Sequence, residues 1–356
     1  MFPIAKSHFP ALEDDVAHFA AGGQTPLPAA AMTAINDFAR RKGAGQAGYN
    51  AHQALVNETR QRTARILGVS ADDIAFLGSA SDAISRVIQA IDWRAGDNAV
   101  MPALDYASGR AALQQLAPLG VSLRQVEAAG WICDEADLIA ACDARTRLVY
   151  VSQINPRTGQ AMDIARIHAA LSPRGIIVLN DATHALCAQS VDGTAADITV
   201  SSCYKFVMAS FMGVLCTGTP NGRALMPKGA GWHAMGETGP KRWEYGNVPH
   251  LDVAILHGSL GWQEGLGDMA ARGDYLLAVA DQIGALVTGA GYPIVPRDGG
   301  RASQNICVIG GGDIAALGAH LETQRIRIWY DLGRLRLSAQ IFNDAADLDR
   351  LACALA

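Results

Sequence analysis

The stretch ITVSSCYKFVMASFMG, residues 198–213, places one lysine, Lys205, among small and apolar side chains. A lysine is seldom buried without a partner, because the ammonium loses its hydration and the interior returns nothing unless a counter-charge or a covalent bond replaces it. The five residues before Cys203 read as a short buried strand, so Lys205 falls just beyond the strand's carboxyl end. In an open α/β sheet that edge is where ligands sit. The question is then which other polar residues stand at the same edge.

Working outward, short β-branched runs alternate with helical periodicity over the first two-thirds of the chain. DIAFLG, DNAVMPA, SLRQVEA, RLVYVSQ, GIIVLND and ADITVSS read as strands. AAMTAINDFARRKG, AHQALVNETRQRTARILGV, SASDAISRVIQAI, YASGRAALQQLAPLG, DEADLIAACDA and DIARIHAALSPRG read as helices. The pattern predicts an α/β fold: a large domain around a mostly parallel central sheet. Beyond about residue 250 come two long helices, LDVAILHGSLGWQEGLG and ARGDYLLAVADQIGALVTGAG. Short strands and further helices follow, and they predict a smaller α+β C-terminal domain. The expected division is 18–250 for the large domain, with 1–17 and 251–356 in the smaller one. GAGYP and IGGGD lack a strand–GxGxxG–helix context and read as turns.

At the strand ends stand Ser79, Ala80 and Ser81, at a predicted helix start. Alone they read as an ordinary N-cap; with a ligand they make a phosphate cradle. Asn155 and Thr158 follow RLVYVSQ, Asp181 and His184 follow GIIVLN, and Ser202 and Tyr204 precede Lys205. A phosphate cradle, a carboxylate and a lysine at one sheet edge are the set that pyridoxal 5′-phosphate chemistry uses. The lysine carries the cofactor as a Schiff base, the helix N-terminus holds its phosphate, and the carboxylate keeps its ring nitrogen protonated as an electron sink.

These elements resemble the class V aminotransferase family of fold-type I pyridoxal-phosphate enzymes, which includes cysteine desulfurases, kynureninases and isopenicillin-epimerase-like proteins. The resemblance runs from about residue 18 to the C-terminus in the family's motif order. It implies that Asp181 of LNDATHA pairs with the pyridinium nitrogen, with His184 near the ring or its phenolic oxygen. Lys205 of SSCYKF carries the cofactor and shuttles protons, Ser202 binds phosphate, and Tyr204 stands where many members have histidine. GSASDAI supplies Ser79, Ala80 and Ser81 to the phosphate. Tyr106 of PALDYASG stacks on the cofactor, and Asn155 of INPRTGQ lies near the phenolic oxygen. Gly246 and Asn247 of RWEYGNVP reach the phosphate of a partner subunit's cofactor, which implies a homodimer with a shared site. Arg336 of GRLRLS holds a substrate α-carboxylate. The segment AAGGQTPLP is expected over the site entrance, with Gly23, Gln24 and Thr25 helping to hold substrate. Arg157 and Arg242 are read as solvated surface arginines.

The resemblance leaves the reaction open. Members begin by forming an external aldimine with an amino acid and labilising a bond at its α-carbon. There are seven cysteines, at 133, 142, 187, 203, 216, 307 and 353, and none falls in 308–352, where a desulfurase carries its nucleophilic thiol. The reading therefore leans to breaking a C–S or C–C bond within the substrate's side chain, as a β-lyase or kynureninase-like enzyme does. Transamination to a keto acid and α-carbon epimerisation stand as alternatives. Substrate choice is assigned to loop residues such as Trp232, His233 and Trp243. A non-enzymatic cofactor-binding role is disfavoured because both Lys205 and Asp181 are kept.

Composition narrows the remaining classes. Charged residues are 18% and the net charge is −5, so there is no basic footprint for nucleic acid. No apolar run approaches the ~20 residues of a membrane span. The N-terminus carries acids where a signal peptide has an apolar core. Odd, scattered cysteines without CxxC spacing predict reduced thiols and a cytoplasmic location. The nine histidines form no ligand motif, and no metal site is expected.

Overall fold

The computed structural model describes residues 2–13, 15–236, 239–310, 313–331 and 333–356. Gly311 and Gly312 of IGGGD, and Leu332 of the last strand region, lie outside the described residues. A first short strand, β1 (Ala17–His18), precedes seven that build the main sheet. These are β2 (Ile74–Leu77), β3 (Asn98–Pro102), β4 (Ser122–Val126), β5 (Thr146–Ser152), β6 (Ile177–Asp181), β7 (Ile198–Ser202) and β8 (Gly213–Cys216). Four more follow: β9 (Asn305–Ile309), β10 (Ile326–Arg327), β11 (Trp329–Asp331) and β12 (Arg334–Ser338).

The main sheet has the order β2-β8-β7-β6-β5-β3-β4. Every neighbouring pair is parallel except those made by β8, which runs antiparallel to both β2 and β7. Strands β2, β3, β7 and β8 are buried along their whole length, as expected of a sheet covered on both faces. Capping side groups set the helix starts: Ser79 accepts from the Asp82 amide at 3.0 Å, and Asp163 and Asp268 cap in the same way.

β8 is absent from the sequence expectation. It holds four residues, GVLC, too few to show a period, and it begins at Gly213, where any Cβ would lie 2.3 Å from the Ser79 carbonyl carbon. The antiparallel return brings this backbone against the turn after β2, which only glycine permits.

A second, three-stranded antiparallel sheet has the order β11-β12-β9. The first residues of the sequence pack with this later region: β1 pairs in parallel with β10, and Ile4, Phe9 and Phe19 share an apolar cluster with Leu276, Ile283, Leu335 and Phe342. A bridge from Ala20 to Ser338 carries the segment that follows β1 alongside β12. Among the described residues no helix is long and apolar enough to cross a membrane.

Candidate active site

The carboxyl ends of β2, β5, β6 and β7 converge on a cavity of about 150 Å³. Ser79, Ala80, Ser81, Tyr106, Asp181, His184, Ser202, Tyr204 and Lys205 all line it, so nine of the sequence-derived residues share one space. Parallel pairing explains the convergence, because Ser152 faces Asp181 in register and Asp181 faces Val200.

Lys205 is 6% exposed and sits in a tight loop where Cys203 N donates to Met212 O and Met208 N to Lys205 O. Met208 adopts φ +55° there, so the turn carries strain that the flanking strands hold in place. The Nζ of Lys205 lies 2.7 Å from His184 Nε2 and 5.9 Å from the centre of the Tyr106 ring. Burial first, then Arg336, pushes its pKa down to about 7, with Asp181 opposing. His184 is driven well below its usual range by burial and by Lys205. Asn305 Nδ2 stands 3.2 Å from His184 Nδ1. With that amide donating, Nε2 carries the ring hydrogen and donates to a neutral lysine amine. The lysine is thus held as a neutral amine near neutral pH, the form a nucleophile or base requires, with its lone pair accepting from His184.

Asp181 is fixed from two sides. Thr183 N donates to Oδ1 at 3.0 Å and Tyr150 Oη to Oδ2 at 3.0 Å. Burial and the nearby carboxylates raise the Tyr150 pKa well above normal, so the phenol remains a donor. Ser202 Oγ accepts from Ala80 N at 3.4 Å, and Ser81 Oγ is 2.8 Å from Ser108 Oγ. Hydroxyls and amides at the start of helix Ala80–Ala90 thus face the cavity, which suits a phosphate. Tyr106 is held by Asp105, which accepts from the Tyr106 amide at 2.6 Å and from Ser152 N and Oγ. Tyr204 stacks on Phe211 at 4.4 Å, and burial raises its phenol to about 12.

A second cavity of about 280 Å³ adjoins the first through Tyr106, Pro156, Tyr204 and Lys205. Arg336 is on its wall, 3% exposed, with Nη1 donating to Pro156 O at 2.5 Å. Its pKa falls to about 10 through burial and Arg334, so it stays cationic at neutral pH. Its Nε and Ser338 Oγ are buried without partners among the described residues. Gly22 and Gly23 roof this space: a Cβ on Gly22 would sit 2.8 Å from Arg336 Nε, and one on Gly23 would sit 2.4 Å from the Trp329 ring. Gln24 and Thr25 line a separate cleft with Trp329 and Arg327, although the Thr25 amide donates to Tyr204 O.

Two expectations are met differently. Asn155 does not line either cavity; its Oδ1 accepts from Arg157 N at 2.8 Å and Thr158 N at 3.0 Å, so its side-chain oxygen shapes the loop. Gly246 and Asn247, expected at a partner's cofactor, lie off both cavities of their own subunit, and the exposed Asn247 accepts from Tyr49 Oη at 3.0 Å. Arg157 and Arg242 are not solvated surface residues. Arg157 is on the wall of the second cavity, and Arg242, 8% exposed, donates to the carbonyls of Arg223 and Leu225.

Sequence reading did not find Tyr150, Thr183, Asp105 or Asn305. Asp105 stood inside a quoted motif; Asn305 lies 121 residues from the histidine it touches and has no local signal. All seven cysteines are described, and none lines either cavity. Cys133 and Cys216 are pushed up to about 12 and Cys142 and Cys187 to about 11 by burial; Cys203 and Cys307 are raised as well. Cys353, on the last helix, is exposed.

The residues present fit pyridoxal phosphate on observations of this structure: a buried amine with a lone pair, hydroxyls and amides at a helix start, and a doubly anchored carboxylate, all on one cavity.

A family model described as Aminotransferase class-V matches residues 18–250. Curated relatives include a probable cysteine desulfurase of Methanothermobacter thermautotrophicus, 28% identical over 190 residues, covering 51% of this sequence and 47% of that protein. A cysteine desulfurase of Dickeya dadantii is 28% identical over 214 residues, covering 58% and 48%. The protein thus spans about half the length of the curated relatives it matches. Among solved structures, the cystine C–S lyase C-DES in complex with cysteine persulfide superposes with a TM-score of 0.89 at 20% identity, covering 98% of each protein. The apo cysteine desulfurase of Thermococcus onnurineus NA1 gives 0.86 at 16%, covering 99% and 96%. At such identities the structures bear on the fold alone.

Proposed function

Because the protein belongs to the aminotransferase class-V family of pyridoxal-phosphate-dependent enzymes, we propose that it cleaves the β C–S bond of an amino-acid thioether or disulfide. For a cysteine thioether the products are a thiol, pyruvate and ammonia, with one water consumed. Lys205, Asp181, Ser79, Ala80, Ser81, Ser202, Tyr106 and Tyr204 hold the cofactor in this reading. The bound cofactor supplies an electron sink that acidifies the α-carbon.

The protein's own residues supply the rest. Lys205 Nζ takes the α-proton and returns a proton to the departing sulfur, a task suited to an amine held near pKa 7. His184 Nε2 fixes the position of that amine. Asp181, anchored by Thr183 and Tyr150, presents an acceptor to the cofactor's ring nitrogen. Arg336 takes the substrate α-carboxylate, and Gly22 and Gly23 close over it against water. The carrying observation is that Lys205 faces the cavity while no cysteine lines it or its neighbour, so sulfur leaving the substrate has no protein thiol there to receive it.

The test is a panel of cysteine conjugates and ordinary L-amino acids, with product analysis. Thiol and pyruvate from the conjugates, while the cofactor spectrum persists through turnover, support elimination. Conversion of the cofactor to its amine form with release of a keto acid makes the enzyme an aminotransferase instead. An inverted α-carbon with no other product makes it an epimerase.

The same reading includes a homodimer. Gly246 and Asn247 lie away from their own Lys205 cavity, and Trp232, Met235 and Met226 are exposed at 61%, 80% and 59%. A partner's site placed there receives Asn247 and covers that apolar surface. Sedimentation should give a dimer, and a fully active monomer would end the assignment.

A further inference from the structure

The second cavity holds more positive charge than one α-carboxylate neutralises. Arg157, Arg334 and Arg336 stand on its wall with a single carboxylate, Asp331. Arg334 Nη2 is 3.2 Å from Asp331 Oδ1, and Asp331 Oδ2 accepts from Trp329 Nε1 at 3.1 Å. Arg334 Nη1 shares Pro156 O with Arg336, and its Nε is buried without a partner among the described residues. The guanidinium of Arg157 makes no hydrogen bond or ion pair among the described residues. Its backbone, however, is fixed: Asn155 Oδ1 accepts from the Arg157 amide and sets the residue at the rim. Burial, Arg110 and Arg334 oppose its charge and bring its pKa below the usual arginine range, while Asp331 and Asp105 support it less strongly.

Three guanidiniums against one carboxylate leave two charges unbalanced. Buried or half-buried cations are costly unless paired, and guanidinium forks match planar oxyanions. The α-carboxylate at Arg336 answers one. The cofactor's phosphate has its own cradle in the first cavity and does not answer the other.

We propose that Arg157, supported by Arg334, is a specificity-determining site for a second carboxylate, so that the substrate is an amino acid whose side group itself ends in a carboxylate. This rests on the reading of Arg336 as the α-carboxylate anchor in the function proposed above.

The test compares S-carboxymethyl-L-cysteine with its uncharged isostere, S-carbamoylmethyl-L-cysteine, on the holoenzyme. Half-saturation is read from the cofactor's absorbance, and thiol and pyruvate are measured separately. The acid should bind at least tenfold more tightly than the amide. In Arg157→Gln the ratio should fall to near one, and Arg157→Lys should keep part of it because the charge remains but the fork is lost. A ratio near one in the wild type, failure of both compounds to bind, or a ratio unchanged in Arg157→Gln overturns the proposal. If the ratio behaves as stated but no thiol appears, the second carboxylate site stands and the elimination reading falls. If thiol appears from both compounds without preference, elimination stands and the site falls.

Discussion

Two sets of buried basic side chains are treated oppositely. Behind β2, Arg60 meets Glu244 through two bonds, of 2.7 and 3.1 Å, and Glu244 also accepts from Phe76 N at 2.7 Å. Arg60 further donates to Ile74 O and lies over the Phe76 ring. At the sheet's active edge, Lys205 and Arg336 are as deeply buried, yet neither has a carboxylate within ion-pairing distance among the described residues. Charge in the frame is cancelled where it stands. At the site Lys205 sheds its charge and Arg336 keeps one in reserve for a group that arrives, and the fold bears that cost until it does.

Breaking each set should therefore have different signatures. Lys205→Ala is the largest: turnover should fall by about 10⁴-fold or more, since it removes both the cofactor's attachment and the proton carrier. The absorbance of the lysine-bound cofactor should vanish with it, and a retained band would refute the assignment. Glu244→Ala strands Arg60 in the interior and should cost about 3–5 kcal/mol, read as a lower urea midpoint. Arg336→Met removes an unneutralised charge instead, so the cofactor-free protein should keep its stability or gain some; a loss as large as that of Glu244→Ala would erase the contrast. In catalysis, Arg336→Ala should raise KM about 10–100-fold with a smaller change in kcat.

A separate effect is in pH. Lys205 titrates near 7 in the fold and near 10.5 when unfolded, so between those values the unfolded protein binds more protons. Stability of the cofactor-free protein should then rise as pH goes from about 7 to about 10, and Lys205→Met should flatten that slope. An identical slope in both proteins would mean that Lys205 is not the group responsible.

The same contrast explains what was legible in the sequence. Lys205 announced itself because a lone cation in an apolar run violates the ordinary pattern, and Asp181 and Ser79 followed from their places after strands. Glu244 sat inside the quoted RWEYGNVP but its partner Arg60 is 184 residues away, and nothing local links them. Tyr150 looked like one more apolar residue of β5, since its hydroxyl gains meaning only once β6 lies beside it in register. Asn155 and Arg157 exchanged roles for a reason of turn geometry: an Asn followed by Pro-Arg-Thr accepts from its own loop, and that bond aims the arginine. The strand β8 escaped because four residues carry no period and its direction is set by its two neighbours.

The roof of Gly22 and Gly23 has a consequence for how the protein is made. β1 pairs with β10 across Ala17 and Ile326, and Phe19 exchanges backbone bonds with Arg327 and Ser338. On a ribosome working at about 5–20 residues per second, the roof emerges and then waits roughly 15–60 s for the strands it must join. Until then the lysine pocket stands uncovered in a nascent polypeptide whose main sheet has already been synthesised. Cofactor capture during synthesis and sealing of the substrate chamber are thus separate events, and the second is timed by translation of β10 and β12.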